Sequence, residues 1–159
     1  MSESLSNTAQ KVQNALNEHG LELNVVELSS SARTFDEAAT AIGCEVSQIA
    51  KSLVFKGKKS QNPILIIASG TNRVNEKKVK AIIGEKIEKP DENFVLDETG
   101  FVVGGIPPVG HKKELLTLID EDLMQFKKIW AAAGTPHAVF SLTPMELLEI
   151  TSGEIINLK

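Results

Sequence analysis

The chain has 159 residues, 42% apolar and 24% charged, and a net charge of −4 at neutral pH. That size suits one domain, residues 1–159, with its own hydrophobic core, and no apolar stretch approaches the length of a membrane span. The acidic balance argues against broad nonspecific nucleic-acid binding, and a lone cysteine, Cys44, excludes an internal disulfide and a thiolate metal site.

The opening MSESLSNTAQKVQNALNEHG is polar, neither signal peptide nor anchor, so a cytoplasmic protein is expected. Residues 7–19 read as a helix with Ala9, Val12, Ala15 and Leu16 on one face and Gly20 just past its end. A short strand follows over 23–28. Thr34-Phe35-Asp36-Glu37 is a capping box that opens a helix closed by Gly43. Cys44 then reads as a small buried hydrophobe. A short helical turn covers 46–49.

A hairpin comes next: a strand over 50–56, a turn over 57–62 and a return strand over 63–69. Ile64, Leu65, Ile66 and Ile67 form a continuous apolar run, as in a strand buried on both faces. In the first strand, alternation sets Lys51, Leu53 and Phe55 on one face and Ala50, Ser52 and Val54 on the other. A lysine sharing a face with Leu53 and Phe55 either snorkels at the rim of the sheet or points into a cavity. Residues 75–83 form a helix with Val79, Ile82 and Ile83 inside.

Residues 51–89 carry ten basic side chains against three acidic ones, a local charge of +7 in an acidic protein. Such a segment either is a solvated lysine-rich surface or makes a localised polyanion contact. A helical element is expected after Pro90-Asp91. Residues 101–106 read as an apolar strand that enters Gly104-Gly105-Ile106-Pro107-Pro108. Glycine lets backbone approach a ligand closely, and proline stiffens the loop.

Further strands are expected over 115–119 and 137–142, with Gly134-Thr135-Pro136 as the turn before the second. Asp120-Glu121-Asp122 lacks ligand spacing and reads as a helix entry. Thr143-Pro144-Met145-Glu146 is a second capping box, and a terminal strand covers 155–158. Short strands joined by hairpins and interspersed helices predict an α+β fold. The expected sheet is mixed, mostly antiparallel, and curled into a partial barrel with surrounding helices. His19, His111 and His137 show no ligand spacing, so no metal is expected, and no glycine pattern announces a nucleotide cofactor.

Four segments in series carry a resemblance: SARTFDEAATAIGC, IAKSLVFK, TGFVVGGIPPVGHKK and AAAGTPHAVFSLTPMELLEITSG. Together they resemble the YbaK family. That family comprises freestanding aminoacyl-tRNA editing proteins and the insertion domain of bacterial prolyl-tRNA synthetase. The resemblance implies hydrolysis of the ester that joins a wrong amino acid to the 3′-terminal adenosine of a tRNA, acting in trans without metal or cofactor. The implied substrate is tRNA(Pro) carrying a small residue such as alanine, cysteine, serine or threonine.

It also implies a functional lysine at Lys51, and a GxxxP loop over the pocket at Gly104 to Pro108. The chemistry agrees: backbone N–H groups of Gly104 and Gly105, or the Lys51 ammonium, would stabilise the oxyanion of ester hydrolysis. Lys51 could equally meet the terminal phosphate or ribose.

Phe35, Ser52, Ile106, Pro107, Pro108, His137 and Ser141 are the candidates for substrate contact. For Phe35 the other reading is core, for His137 a turn histidine, for Ser141 a surface role. His111, beside Lys112 and Lys113, reads as solvated or facing the tRNA. Lys58, Lys59, Lys77, Lys78 and Lys80 are the candidates for contact with the tRNA. Prolyl-tRNA synthetase is a further expected partner; membrane and DNA are not. A non-catalytic tRNA- or synthetase-binding module is the alternative, and it would be expected to lose either Lys51 or the glycine loop.

Overall fold

Ile64, Leu65, Ile66 and Ile67 are each at most 3% exposed, and the protein is organised around them. The computed structural model describes residues 6–28, 34–113, 115–135 and 137–159, with only the backbone of Phe35. The elements run α1 (Asn7–Glu18), β1 (Val26–Glu27), α2 (Phe35–Ile42), β2 (Ile49–Gly57), β3 (Pro63–Ser69), α3 (Glu76–Ile83) and β4 (Ile87–Glu88). They continue with α4 (Glu92–Thr99), β5 (Leu116–Asp120), β6 (Ile129–Ala132), β7 (Ala138–Leu142), α5 (Pro144–Thr151) and β8 (Glu154–Ile156). Short 3₁₀ turns precede β2 and follow β5.

Strand order is β1-β7-β6-β2-β3-β5-β8, with β4 added to β2 off this path. The pairs β1–β7, β6–β7, β2–β3 and β2–β4 are antiparallel; β2–β6, β3–β5 and β5–β8 are parallel. The fold is therefore α+β with a mixed, mostly antiparallel sheet. The described strands do not close into a barrel, because β1 and β8 end the order without pairing with each other.

Alternation divides the core as the hairpin pattern predicts. Ala50, Val54, Leu65 and Ile67 pack with Val12 and Leu16 of α1 and Leu147 of α5. Phe55, Ile64, Ile66 and Leu118 pack on the opposite face with Val79 of α3. Helices thus cover both faces of the hairpin, which is why β3 tolerates no polar residue before Ser69.

The expected caps form. Thr34 accepts from the Glu37 N–H, and Thr143 and Glu146 complete a reciprocal capping box with Pro144 in the first turn. Asp120 accepts from the Asp122 N–H at the entry to the second 3₁₀ turn.

Two expectations are corrected. Residues 101–106 are not a strand: Gly104 adopts φ +97°, which breaks the extended run, and the Gly105 N–H closes a turn on the Val102 carbonyl at 3.2 Å. Ile82 does not face inward; it is 42% exposed, and Val79 alone is fully buried on α3.

Candidate functional site

Strand β2 has β3 along one edge from Ala50 to Lys56. The other edge is shared. β6 pairs only with Ile49 and Ala50, and β4 only with Lys56 and Gly57. A cavity of about 1020 Å³ opens along the stretch between, lined by every residue from Ile49 to Phe55. Its apolar walls include Ala38 and Ile42 of α2, Val95 of α4, and Trp130 and Ala131 of β6. Val103, Gly104 and Ile106 bring the glycine loop to the same cavity.

Of the two placements that alternation allows Lys51, the structure shows the cavity. The side chain is half-buried, and loss of water pushes its pKa below the ordinary lysine value. The nearby Arg73 guanidinium pushes the same way, and Asp120 partly opposes both. A lysine in this setting holds its charge at a cost that an anionic group or developing oxyanion would relieve. Beside it, the Ser52 hydroxyl is buried and makes no hydrogen bond among the described residues.

The loop is built to be stiff. Gly105 is buried against the turn before β7, where a Cβ would lie 2.7 Å from Thr135 Cα and 2.8 Å from the Gly134 carbonyl oxygen. The Gly134 N–H donates back to the Gly105 carbonyl at 2.8 Å. Pro107 and Pro108 are buried. His111 is not solvated: its Nε2 lies 2.6 Å from the Pro107 carbonyl oxygen, and its ring meets Phe101 edge-on at 6.1 Å. Burial lowers the pKa of His111, so the neutral ring is the one that clamps the loop.

Lys51, Ser52, Gly104 and Ile106 therefore line one cavity. Gly105, Pro107 and Pro108 stand behind the lining and support it. Ser141 lies in β7 opposite Trp130 and two residues from Val139, both of which line the cavity, but is not itself in the lining. His137 heads β7, with its N–H 3.3 Å from Thr135 Oγ1 and its carbonyl accepting from the Leu28 N–H at 2.6 Å. The Phe35 side chain lies outside the described residues. Lys58 and Lys59 sit at the tip of the β2–β3 hairpin, and Lys77, Lys78 and Lys80 on α3; all five are exposed and outside the cavity. Cys44 packs against the small cluster of Ala38, Ala39 and Ile49, and burial raises its thiol pKa, the opposite of what a nucleophile needs.

Three charged lining residues escape a reading by motif: Arg73, Glu76 and Lys89. Arg73 ends a loop that the fully buried Asp120 organises. The Asp120 carboxylate accepts from the Ser69 N–H at 3.0 Å and from Asn72 Nδ2 at 2.7 Å. Asp120 had signalled only a helix entry, and the loop it holds carried no recognisable pattern. Among the described residues, no three His, Cys, Asp or Glu side chains gather as a metal site would require.

The chain is similar to known proteins over most of its length. Residues 29–150 match the family model of the aminoacyl-tRNA editing domain. The uncharacterised protein YwhH of Bacillus subtilis is 35% identical over 134 residues, covering 84% of this chain and 85% of its own length. EbsC of Enterococcus faecalis, provisionally named a Cys-tRNA(Pro)/Cys-tRNA(Cys) deacylase, is 30% identical over 120 residues, 75% of this chain and 73% of its own. The proline–tRNA ligase of Limosilactobacillus fermentum is 35% identical over 96 residues, 58% of this chain but 17% of the ligase. A crystal structure provisionally described as a trans-editing enzyme for prolyl-tRNA synthetase superposes with a TM-score of 0.94 at 46% identity, covering 98% of this chain and 99% of that one.

Proposed function

Because the chain belongs to the aminoacyl-tRNA editing domain family, we propose that it is a trans-acting deacylase. Its substrate is tRNA(Pro) mischarged with a small amino acid such as alanine, cysteine, serine or threonine. The observation that carries this reading is the meeting of Lys51 and the Gly104 loop in one cavity. A binding module that had shed its chemistry has no need to keep both.

In the reaction, a water oxygen adds to the ester carbonyl carbon. The bond to the terminal ribose oxygen then breaks, and that oxygen leaves with a proton. Negative charge builds on the carbonyl oxygen in between, and preorganised donors facing it lower the barrier. Lys51 supplies positive charge to the oxyanion or to the ribose–phosphate end of the substrate. Gly104 brings bare backbone to the same space, while Gly105, Pro107 and Pro108 hold the loop. The apolar walls admit a small side chain, and Ser52 and Ile106 contact it. His137, Phe35 and Ser141 complete the substrate surroundings.

The exposed lysines 58, 59, 77, 78 and 80 follow the tRNA backbone, and prolyl-tRNA synthetase is the partner from which the substrate comes. The protein works in the cytoplasm as one editing domain over residues 1–159.

Incubation with tRNAs charged separately with alanine, cysteine, serine, threonine and proline tests the reading. Release of one or more noncognate residues, with prolyl-tRNA(Pro) spared, is expected. Binding of these tRNAs without release from any of them would make the protein a binding module instead.

A further inference from the structure

The hairpin register identifies which backbone groups of β2 face the cavity. The Gly57 N–H donates to the Asn62 carbonyl at 2.9 Å, across the β2–β3 pair. In an antiparallel pair, every second residue turns its N–H and C=O the same way, so Phe55, Leu53 and Lys51 also bond to β3. Residues 50, 52, 54, 56 and 58 turn theirs to the other edge, and the bond from the Lys58 N–H to the Lys86 carbonyl at 2.8 Å, made toward β4, confirms it. Ala50 is taken up by β6 and Lys56 by β4. Among the described residues, Ser52 and Val54 have no strand opposite them on this edge.

The vacancy has a cause in the sequence. Continuing the β2–β4 register, in which Lys56 opposes Glu88, would set Val54 opposite Pro90. Proline has no N–H to give to the Val54 carbonyl, so the ladder stops there. On the other side, β6 ends at Ala132 and turns through Gly134 into β7. Among the described residues, no backbone or side-chain group hydrogen-bonds the N–H of Ser52 or Val54 outside the ladder. An unpaired backbone edge lining an open cavity offers its donors and acceptors to whatever enters.

We propose that this edge is the recognition element for the aminoacyl group, which docks on β2 as a one-residue strand. An amino acid ester carries an acceptor and a donor with the spacing of one strand residue. Its carbonyl oxygen accepts from an outward N–H of Ser52 or Val54, and its α-ammonium donates to an outward carbonyl of the same edge. Main-chain pairing of this kind reads the part common to all amino acids, and the apolar wall is left to read the side chain. The same N–H aims at the atom on which charge develops in hydrolysis, where Gly105 cannot help because its own N–H is spent on Val102. The inference rests on the deacylase reading and adds the atoms that hold the substrate.

Amide hydrogen exchange of the full chain, resolved by NMR, tests it, with 3′-alanylamino-3′-deoxyadenosine as a non-hydrolysable probe. In the free protein the Ser52 and Val54 amides are expected to exchange at least about 100-fold faster than those of Leu53 and Phe55. With saturating probe, one or both should slow by about 10-fold or more. Amides of Ser52 and Val54 as protected in the free protein as their neighbours would overturn the proposal. So would a probe that shifts the resonances of cavity residues yet leaves both exchange rates unchanged, although the deacylase reading would survive that result. Absence of any shift at millimolar probe would count against both.

Discussion

At the scale of single residues, Lys51 carries the tension on which the proposed activity depends. Burial and the neighbouring Arg73 both oppose its charge, so its folded pKa lies below the ordinary lysine value. A depressed pKa means that the folded state binds this proton less readily than the unfolded chain, so stability is lost as pH falls through the folded value and the lysine becomes charged. Near neutrality the charge therefore costs stability. Lys51→Met should lower deacylation by at least about 100-fold while leaving the melting temperature equal or higher. Paired activity assays and thermal melts check both halves.

His111 gives the second prediction at this scale. Burial holds its pKa below 6.5, so the neutral ring's contribution is complete above that value and is lost as pH falls below it. Melting temperature should drop between pH 7 and pH 5, and His111→Gln, which cannot titrate, should flatten that part of the profile. For Lys51, alternation leaves rim and cavity both open, and only the family resemblance marks it as functional. The place of His111 was not legible, because its partner is a carbonyl that only the folded loop presents.

At the scale of elements, the helices were readable because their signals are local. Asn75, Thr34 and Thr143 cap where their side chains can reach the first free N–H groups, and Gly43 and Gly84 end α2 and α3. Residues 101–106 match a strand pattern in the sequence because Phe101, Val102 and Val103 are apolar. Yet Val102 and Val103 are 53% and 56% exposed, and the loop is held by the turn before β7, far away in sequence.

Gly105→Ala should therefore destabilise the protein by about 1–3 kcal/mol, because the new methyl meets backbone that cannot step aside. Denaturant titration measures it. Asp120→Asn turns an acceptor of several N–H groups partly into a donor; the expected cost is about 1.5–3 kcal/mol. It should also loosen the loop that carries Arg73 to the cavity, which raises KM more than it lowers kcat if Arg73 meets the substrate's phosphate side.

At the scale of the whole molecule, a net charge of −4 conceals a basic stretch, of which Lys58 and Lys59 lie on the hairpin tip and Lys77, Lys78 and Lys80 on α3. If that surface follows a tRNA backbone, affinity should fall as salt rises. Each of Lys58, Lys59, Lys77, Lys78 and Lys80 replaced by alanine should then flatten the plot of log affinity against log salt by up to about 0.7–0.9. Filter binding at several salt concentrations would read it. The charge asymmetry was visible from composition. The open edge of β2 was not, because it arises where β4 stops at Glu88, two residues before Pro90, and β6 turns away, a coincidence of segments distant in the chain.

The central claim is that hydrolysis takes place in the cavity around Lys51. Single-turnover hydrolysis of mischarged tRNA(Pro), wild type against Lys51→Met at matched fold stability, tests it most directly. Release of the noncognate residue by the wild type and its near-complete loss in the variant are expected. Undiminished release by Lys51→Met would contradict it and move the chemistry elsewhere on the protein.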